Sequence, residues 1–312
     1  MRSGIAYFIL AHHRPQQLRW LIEALAQPGD GHRDTIILHI DRKSMLGLKP
    51  ERRGIWQMAR ALAAEFPNVI LMRPRFTNWG GWSLSRIQLD AIAIALKTSA
   101  DWSHFVNLSG QCYPIKSAGQ IRQALAADPD QVFVEMRHLS TLPEDDWHLR
   151  WHPMLELPIR AVKFKGPRPP PEGFELAYKG SQWSILPRAF CEWQQRAEIG
   201  KPIRRYLSRL LLSDELIMQT LVRNGPWRDK VAPHYGREII FPGPKVMTRE
   251  DLPRLMRSPA LYARKFDHER DPHVLPYLAR QFGYPISGLP EGSRRADAAL
   301  ESEAPESEAW AQ

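Results

Sequence analysis

Short uninterrupted apolar runs alternate with segments whose apolar residues recur every three or four positions. Ile5-Ala6-Tyr7-Phe8-Ile9-Leu10-Ala11, Ile36-Ile37-Leu38-His39-Ile40, Asn68-Val69-Ile70-Leu71-Met72 and Phe105-Val106-Asn107-Leu108 are such runs. Their lengths fit strands buried on both faces. Between them, residues 16–26 place Leu18, Leu21, Ile22 and Leu25 at helical spacing. Further helices are expected around 51–65, over 84–96 after the turn Trp79-Gly80-Gly81-Trp82-Ser83, and over 117–127. Later strands are expected over 131–135 and 178–186, with helices over 187–198 and 214–223. This alternation predicts a doubly wound α/β sheet. Ligands bind such sheets beyond the carboxyl ends of the strands, which here carry His12-His13-Arg14, Asp41-Arg42-Lys43-Ser44 and Ser109-Gly110.

The middle of the chain breaks the pattern. Residues 141–175 mix charges with Trp147, Trp151 and Pro167-Arg168-Pro169-Pro170-Pro171, a long irregular insertion by composition. From Ser287 onward apolar residues nearly vanish, and 287–312 reads as a disordered tail behind a single domain over 1–286. The 312 residues, 43% apolar and 25% charged, suffice for one large core. No later run reaches membrane length, and the first apolar run is too short and ends in His12-His13-Arg14, so any membrane contact is expected to be peripheral. Two cysteines, Cys112 and Cys191, make no disulfide scaffold and favour a reducing compartment. A net charge of +9 and a pI near 9.7 favour anionic partners. The cations are dispersed, with no RNP-like motif or basic stripe, which argues against nucleic acid.

There is no Gly-x-Gly-x-x-Gly after the first strand and no P-loop. Asp41, ending a strand, suits a turn cap; followed by Arg42-Lys43-Ser44 it also suits a base or ribose, with the cations facing phosphate. A diphosphate needs counter-charge from a divalent ion on a strand-end Asp-x-Asp or from basic side chains. The only Asp-x-Asp, Asp128-Pro129-Asp130, precedes an apolar run and reads as a turn. Candidate cations are Arg237, Lys245, Arg264 and Lys265. Ser213-Asp214-Glu215 opens an expected helix, where Ser213 fits an N-cap and the acids fit the helix dipole; a general base would sit there equally well.

Taken together, the segments resemble the core-2/I-branching enzyme family over roughly residues 5–270. The family comprises β-1,6-N-acetylglucosaminyltransferases and the related peptide O-xylosyltransferases. The matches, in order, are Ile9-Leu10-Ala11-His12-His13-Arg14, His39-Ile40-Asp41-Arg42-Lys43-Ser44, Trp79-Gly80-Gly81-Trp82-Ser83-Leu84-Ser85-Arg86-Ile87-Gln88, Asn107-Leu108-Ser109-Gly110-Gln111-Cys112-Tyr113-Pro114-Ile115, Gly180-Ser181-Gln182-Trp183, Ser213-Asp214-Glu215 and Tyr262-Ala263-Arg264-Lys265-Phe266-Asp267. Each alone is weak; seven in the family's order are specific.

The resemblance implies a GT-A-type glycosyltransferase fold, a Rossmann-like mixed sheet flanked by helices. The donor-binding half would cover about 1–135 and the acceptor and catalytic half about 136–286. It implies an inverting transfer from a UDP-sugar, GlcNAc or xylose, to a glycan or peptide hydroxyl without a metal. Glu215 would be the general base and Lys265 a diphosphate ligand. Asp41, with the backbone near Leu10 and His12, would hold uridine. A second diphosphate cation would be Arg237, before Glu238-Ile239-Ile240-Phe241, with Lys245 as its rival. Glu135 and Trp183 are the acceptor-side candidates. Cys112 stands where bacterial-type relatives usually carry Asp. With no Cys-rich pattern, the chain is expected to be a bacterial cytosolic enzyme, peripheral at most at the inner membrane face. A sugar-binding member without turnover is the alternative, and the presence of Glu215 and Lys265 argues against it.

Overall fold

The computed structural model describes residues 4–26, 34–46, 49–146, 152–166, 168–241 and 243–289. In chain order its elements begin with β1 (Gly4–Ala11), α1 (Pro15–Ala26), β2 (Thr35–Ile40), α2 (Ile55–Glu65), β3 (Val69–Leu71), α3 (Trp82–Thr98), β4 (Trp102–Ser109), β5 (Cys112–Pro114) and α4 (Ala118–Ala127). The second half adds β6 (Arg137–His138), β7 (Met154–Glu156), β8 (Ala161–Lys163), β9 (Tyr178–Lys179), β10 (Ile185–Pro187), α5 (Arg188–Arg196), α6 (Gly200–Leu207), α7 (Ile217–Arg223), β11 (Arg237–Ile239), α8 (Leu252–Arg257), β12 (Tyr262–Arg264) and α9 (Val274–Gln281).

The main sheet runs β10-β4-β1-β2-β3. Four of its strands are parallel and β10 joins the edge antiparallel, giving the expected mixed sheet. Every residue of β2 is buried, which explains its unbroken apolar run. Alternate residues of β1 serve two cores: Ile5, Tyr7 and Ile9 pack with α1, α2 and α9, while Ala6 and Phe8 face α3, α5 and α7 on the other side. A small second sheet, β11-β12-β5, abuts the carboxyl end of β4. Among the described residues no helix is long and apolar enough to cross a membrane.

The helix expected over 117–127 is α4, Ala118–Ala127. Ser117 caps α4 in a reciprocal capping box with Gln120, an arrangement that stabilises a helix start by about 1 kcal/mol. Elsewhere tertiary contacts change the outcome. Residues 131–135 form no strand, only single bridges from Val132 to Val231 and from Phe133 to Ile185. The expected strand over 178–186 is two, β9 and β10, because Gly180 lies against another backbone: a Cβ there would sit 1.9 Å from the Glu135 carbonyl oxygen. The irregular insertion contains an ordered hairpin, β7–β8, while Trp147, Trp151 and Pro167 lie outside the described residues. Packing also continues past residue 286. The Ser287 carbonyl accepts from the Trp20 indole at 2.7 Å, and Leu289 packs on the core; residues 290–312 lie outside the described residues.

Candidate active site

The carboxyl ends of β1, β2 and β4 meet through backbone hydrogen bonds. Asp41 N–H donates to the Ala11 carbonyl at 3.1 Å, and Gly110 N–H to the Leu10 carbonyl at 3.0 Å. His12 and His13 follow, with ring centroids 4.2 Å apart. Burial, reinforced by the charges of His13, Arg52 and Lys265, lowers the His12 pKa to about 3, so this imidazole is neutral. Asp41 is buried and its carboxylate accepts from the Lys43 N–H at 3.1 Å and the Thr77 N–H at 3.3 Å. The sequence allowed a turn cap or a ligand; the structure has the turn contacts, at the carboxyl end of β2.

Lys265 reaches the same end of the sheet from far along the chain. Buried Gln17 on α1 donates to the carbonyls of Gly110 and Phe266, both at 3.0 Å, and accepts from His268 N–H. It thereby ties the loop after β4 to the segment after β12. Phe266 N–H donates to the Gln111 carbonyl at 3.0 Å, completing the junction. The result is a cleft of about 480 Å³ lined by His13, Arg14, Pro50, Gln111, Val246 and Lys265 and by three carboxylates, Glu51, Asp267 and Glu269, of which the last two pair with Arg14. Nothing in the sequence pattern marks Gln17 for this task.

Beside the cleft are two guanidinium groups, Arg237 buried and Arg264 half-buried. Arg237 donates to the Asn107 carbonyl at 2.8 Å and lies 4.6 Å from the Tyr262 ring centroid. Arg264 lies 4.2 Å over the ring of buried Trp183. Burial lowers both pKa values from the ordinary guanidinium range, and both Nε atoms are buried without a partner. Neither has a carboxylate partner among the described residues. Arg264, a member of the basic cluster in sequence, therefore belongs with Arg237 and Lys265. Lys245, by contrast, points its ammonium at Asp251 at 2.7 Å.

Glu215 lies on a single 3₁₀ turn, Ser213–Glu215, ahead of α7. Ser213 is not the N-cap: Leu212 precedes it with φ at 61°, and the Ser213 hydroxyl meets that of Ser85 at 3.2 Å. The Glu215 carbonyl accepts from Gly180 N–H at 2.9 Å. Gln219, one turn along, donates to the carbonyls of Ser181 at 3.0 Å and Glu135 at 3.3 Å. Residues 180–183 thus connect the Glu215 turn to Trp183 and so to Arg264. The neighbouring Asp214 is buried, with Oδ1 unpartnered; burial, then the charges of Glu215 and Glu156, raises its pKa to about 7. Glu215 is half-buried. The Glu135 carboxylate pairs with Arg137 at 3.1 Å while its backbone touches the Gly180 segment.

Trp183 thus links Arg264, next to Lys265, to the segment that bonds the Glu215 turn. Asp128 and Asp130 stand apart at the exposed end of α4, where Asp130 pairs with Lys230 at 2.8 Å.

Comparison with known proteins agrees on one family. The profile described as core-2/I-branching enzyme matches residues 5–237. Xylosyltransferase of Ciona intestinalis is 26% identical over 301 residues, covering 88% of this chain and 33% of that protein. Beta-glucuronosyltransferase GlcAT14B of Arabidopsis thaliana is 26% identical over 299 residues, covering 88% of this chain and 64% of that protein. Beta-1,3-galactosyl-O-glycosyl-glycoprotein beta-1,6-N-acetylglucosaminyltransferase 3 of Ovis aries is 23% identical over 238 residues, covering 76% of this chain and 50% of that protein. The chain spans between a third and two thirds of the length of these relatives.

Proposed function

The chain belongs to the core-2/I-branching enzyme family, and on that premise we propose that it is an inverting, metal-independent glycosyltransferase using a UDP-sugar donor. The observation that carries this reading is the pair of guanidiniums, buried Arg237 and half-buried Arg264, that have no carboxylate partner among the described residues and bury an unpartnered Nε each, next to Lys265 and joined through Trp183 to the Glu215 turn. Buried cations without counter-charge are costly unless an anion completes them. A diphosphate does so.

In this reaction the acceptor hydroxyl oxygen attacks the anomeric carbon from the face opposite UDP. Its proton passes to the Glu215 carboxylate as the new bond forms. The bond from the anomeric carbon to the β-phosphate oxygen breaks, and UDP departs with growing negative charge. Lys265 and the two arginines stabilise that charge in a partly desolvated cleft, where fixed cations are most effective. Asp41, with the backbone at Leu10 and His12, receives uridine, and Glu135 and Trp183 border the acceptor side. One carboxylate suffices, because displacement is single. The acceptor is a glycan or peptide hydroxyl.

The test is UDP release across UDP-GlcNAc, UDP-xylose and, given the Arabidopsis relative's name, UDP-glucuronic acid, in metal-stripped buffer with and without EDTA. Turnover with GlcNAc or xylose that EDTA leaves unchanged is expected. A more than tenfold loss restored by Mn²⁺ would assign the diphosphate to a metal and overturn the basic-residue mechanism.

A further inference from the structure

The hairpin β7–β8 has two unlike faces. On the inner one, Met154 packs with Leu211 and Leu212, and the Glu156 carboxylate accepts from the Ser83 N–H at 2.7 Å and the Ser83 hydroxyl at 2.6 Å. Gly81 lets that carboxylate approach: a Cβ there would sit 2.0 Å from Glu156 Oε1. The hairpin is thus anchored on the start of α3. Among the described residues its outer face has no such cover. Register sets Leu155 opposite Val162, with Phe164 next along the same face, and the tip at 157–160 carries Pro158 and Ile159. Leu155 is 52% exposed, Ile159 68% and Phe164 49%. Trp79, 74% exposed, adjoins Asn78, which donates to the Leu157 carbonyl at 3.0 Å.

Cations surround this apolar ridge. Arg160 and Lys165 are exposed on the hairpin itself. Arg42, Arg73 and Arg75 line a cavity of about 440 Å³ against Leu157 and Pro158. Among the described residues the acids facing them are Glu156, which is held by Ser83, and Asp90, which pairs with Arg75 at 2.8 Å. An apolar ridge with a basic skirt is more one-sided in charge than the polar rim around the apolar centre of a protein interface. It matches the boundary of an anionic bilayer, where aliphatic and aromatic groups enter the acyl edge and Lys and Arg meet headgroups.

We propose that the β7–β8 hairpin is a membrane-docking element for bilayers rich in anionic phospholipid, with Ile159, Leu155, Phe164 and Trp79 entering the interface and the surrounding cations engaging headgroups. The inference stands independently of the glycosyl-transfer chemistry.

Sedimentation with vesicles of phosphatidylcholine, with or without phosphatidylglycerol, tests it. The full chain is expected to bind the anionic vesicles and to leave them in high salt. Ile159→Asp with Phe164→Asp should weaken binding roughly tenfold or more, and removing Arg160 or Lys165 should cost about fivefold each. UDP affinity should not change in either. Because Cys112 and Cys191 are both buried, Ile159→Cys carries an environment-sensitive fluorophore selectively. Its emission should shift to the blue on anionic vesicles, a readout that does not depend on the aspartate variants folding. Equal binding by wild type and the aspartate variant, or no emission shift, overturns the proposal. So does a self-association that the aspartate variant abolishes, or capture by a soluble polyanion without a shift.

Discussion

Residues 4–127 and residues 128–289 reach their shapes by different means. In the first region the strands that build the main sheet run six to eight residues, β3 excepted, and helices up to 17, and contiguous apolar stretches define both. In the second, strands are two or three residues long, and single side chains hold the backbone. Gln219 spans to Glu135 and Ser181, Asn224 to Glu175, and Arg237 to Asn107. The first region supplies a rigid sheet whose ends present main-chain groups and Asp41. The second supplies the proposed base, cations and aromatic ring. Scaffold and chemistry are separated in sequence and joined by the β10–β4 and β12–β5 ladders, by cores shared between the two regions and by buried side chains such as Gln17.

If the second region carries the reaction, the largest loss should come from Glu215→Gln. The amide keeps the shape but cannot accept a proton, so transfer should fall roughly 10²–10⁴-fold. Affinity for UDP, measured by calorimetry, should stay within a few-fold. A variant retaining half of wild-type turnover would remove Glu215 from the mechanism and break the division of labour between the regions.

Lys265→Ala should have the next largest effect. Losing one charge-assisted contact of about 1.5–3 kcal/mol should weaken UDP binding by ten- to a hundredfold. Transfer should slow with it, because the same contact acts on ground state and departing UDP. Unchanged affinity in a UDP titration would shift the diphosphate to Arg237 and Arg264 alone.

The smallest effect separates the regions by pH. Asp214 keeps its proton in the folded chain up to about pH 7, whereas the unfolded chain releases it near the ordinary value of 3.8. Folded stability from this group is therefore lost as pH rises from about 4 through 7, by at most about 4 kcal/mol. In the first region His39 and His104, both buried with pKa values lowered to about 4 by desolvation, act oppositely. They stay neutral in the fold while the unfolded chain protonates below 6.5, so stability falls as pH drops from 6.5 towards 4. Asp214→Asn should raise the melting temperature at pH 8 by a few degrees and leave it little changed at pH 4. An equal shift at both pH values would show that Asp214 is not held protonated.

By itself the sequence determined the core sheet, the helices that cover it and the residue types available for chemistry. β1, β2 and β4 are legible because burial on both faces demands unbroken apolar runs, and Ser117 is legible because a capping box closes within four residues. The tertiary structure alone decided three things. It split the strand expected over 178–186, because Gly180 presses on a backbone 45 positions away. It made Ser213–Glu215 a 3₁₀ turn behind a left-handed Leu212, which packing of Leu211 and Leu212 against Gly80 holds in place. And it set Arg264 over Trp183, its Nε buried, with no carboxylate to meet it among the described residues. The physical reason is common to all three. Periodicity records how a segment meets solvent and core, whereas these outcomes depend on which distant atom completes a hydrogen bond, occupies a space or leaves a charge unpaired.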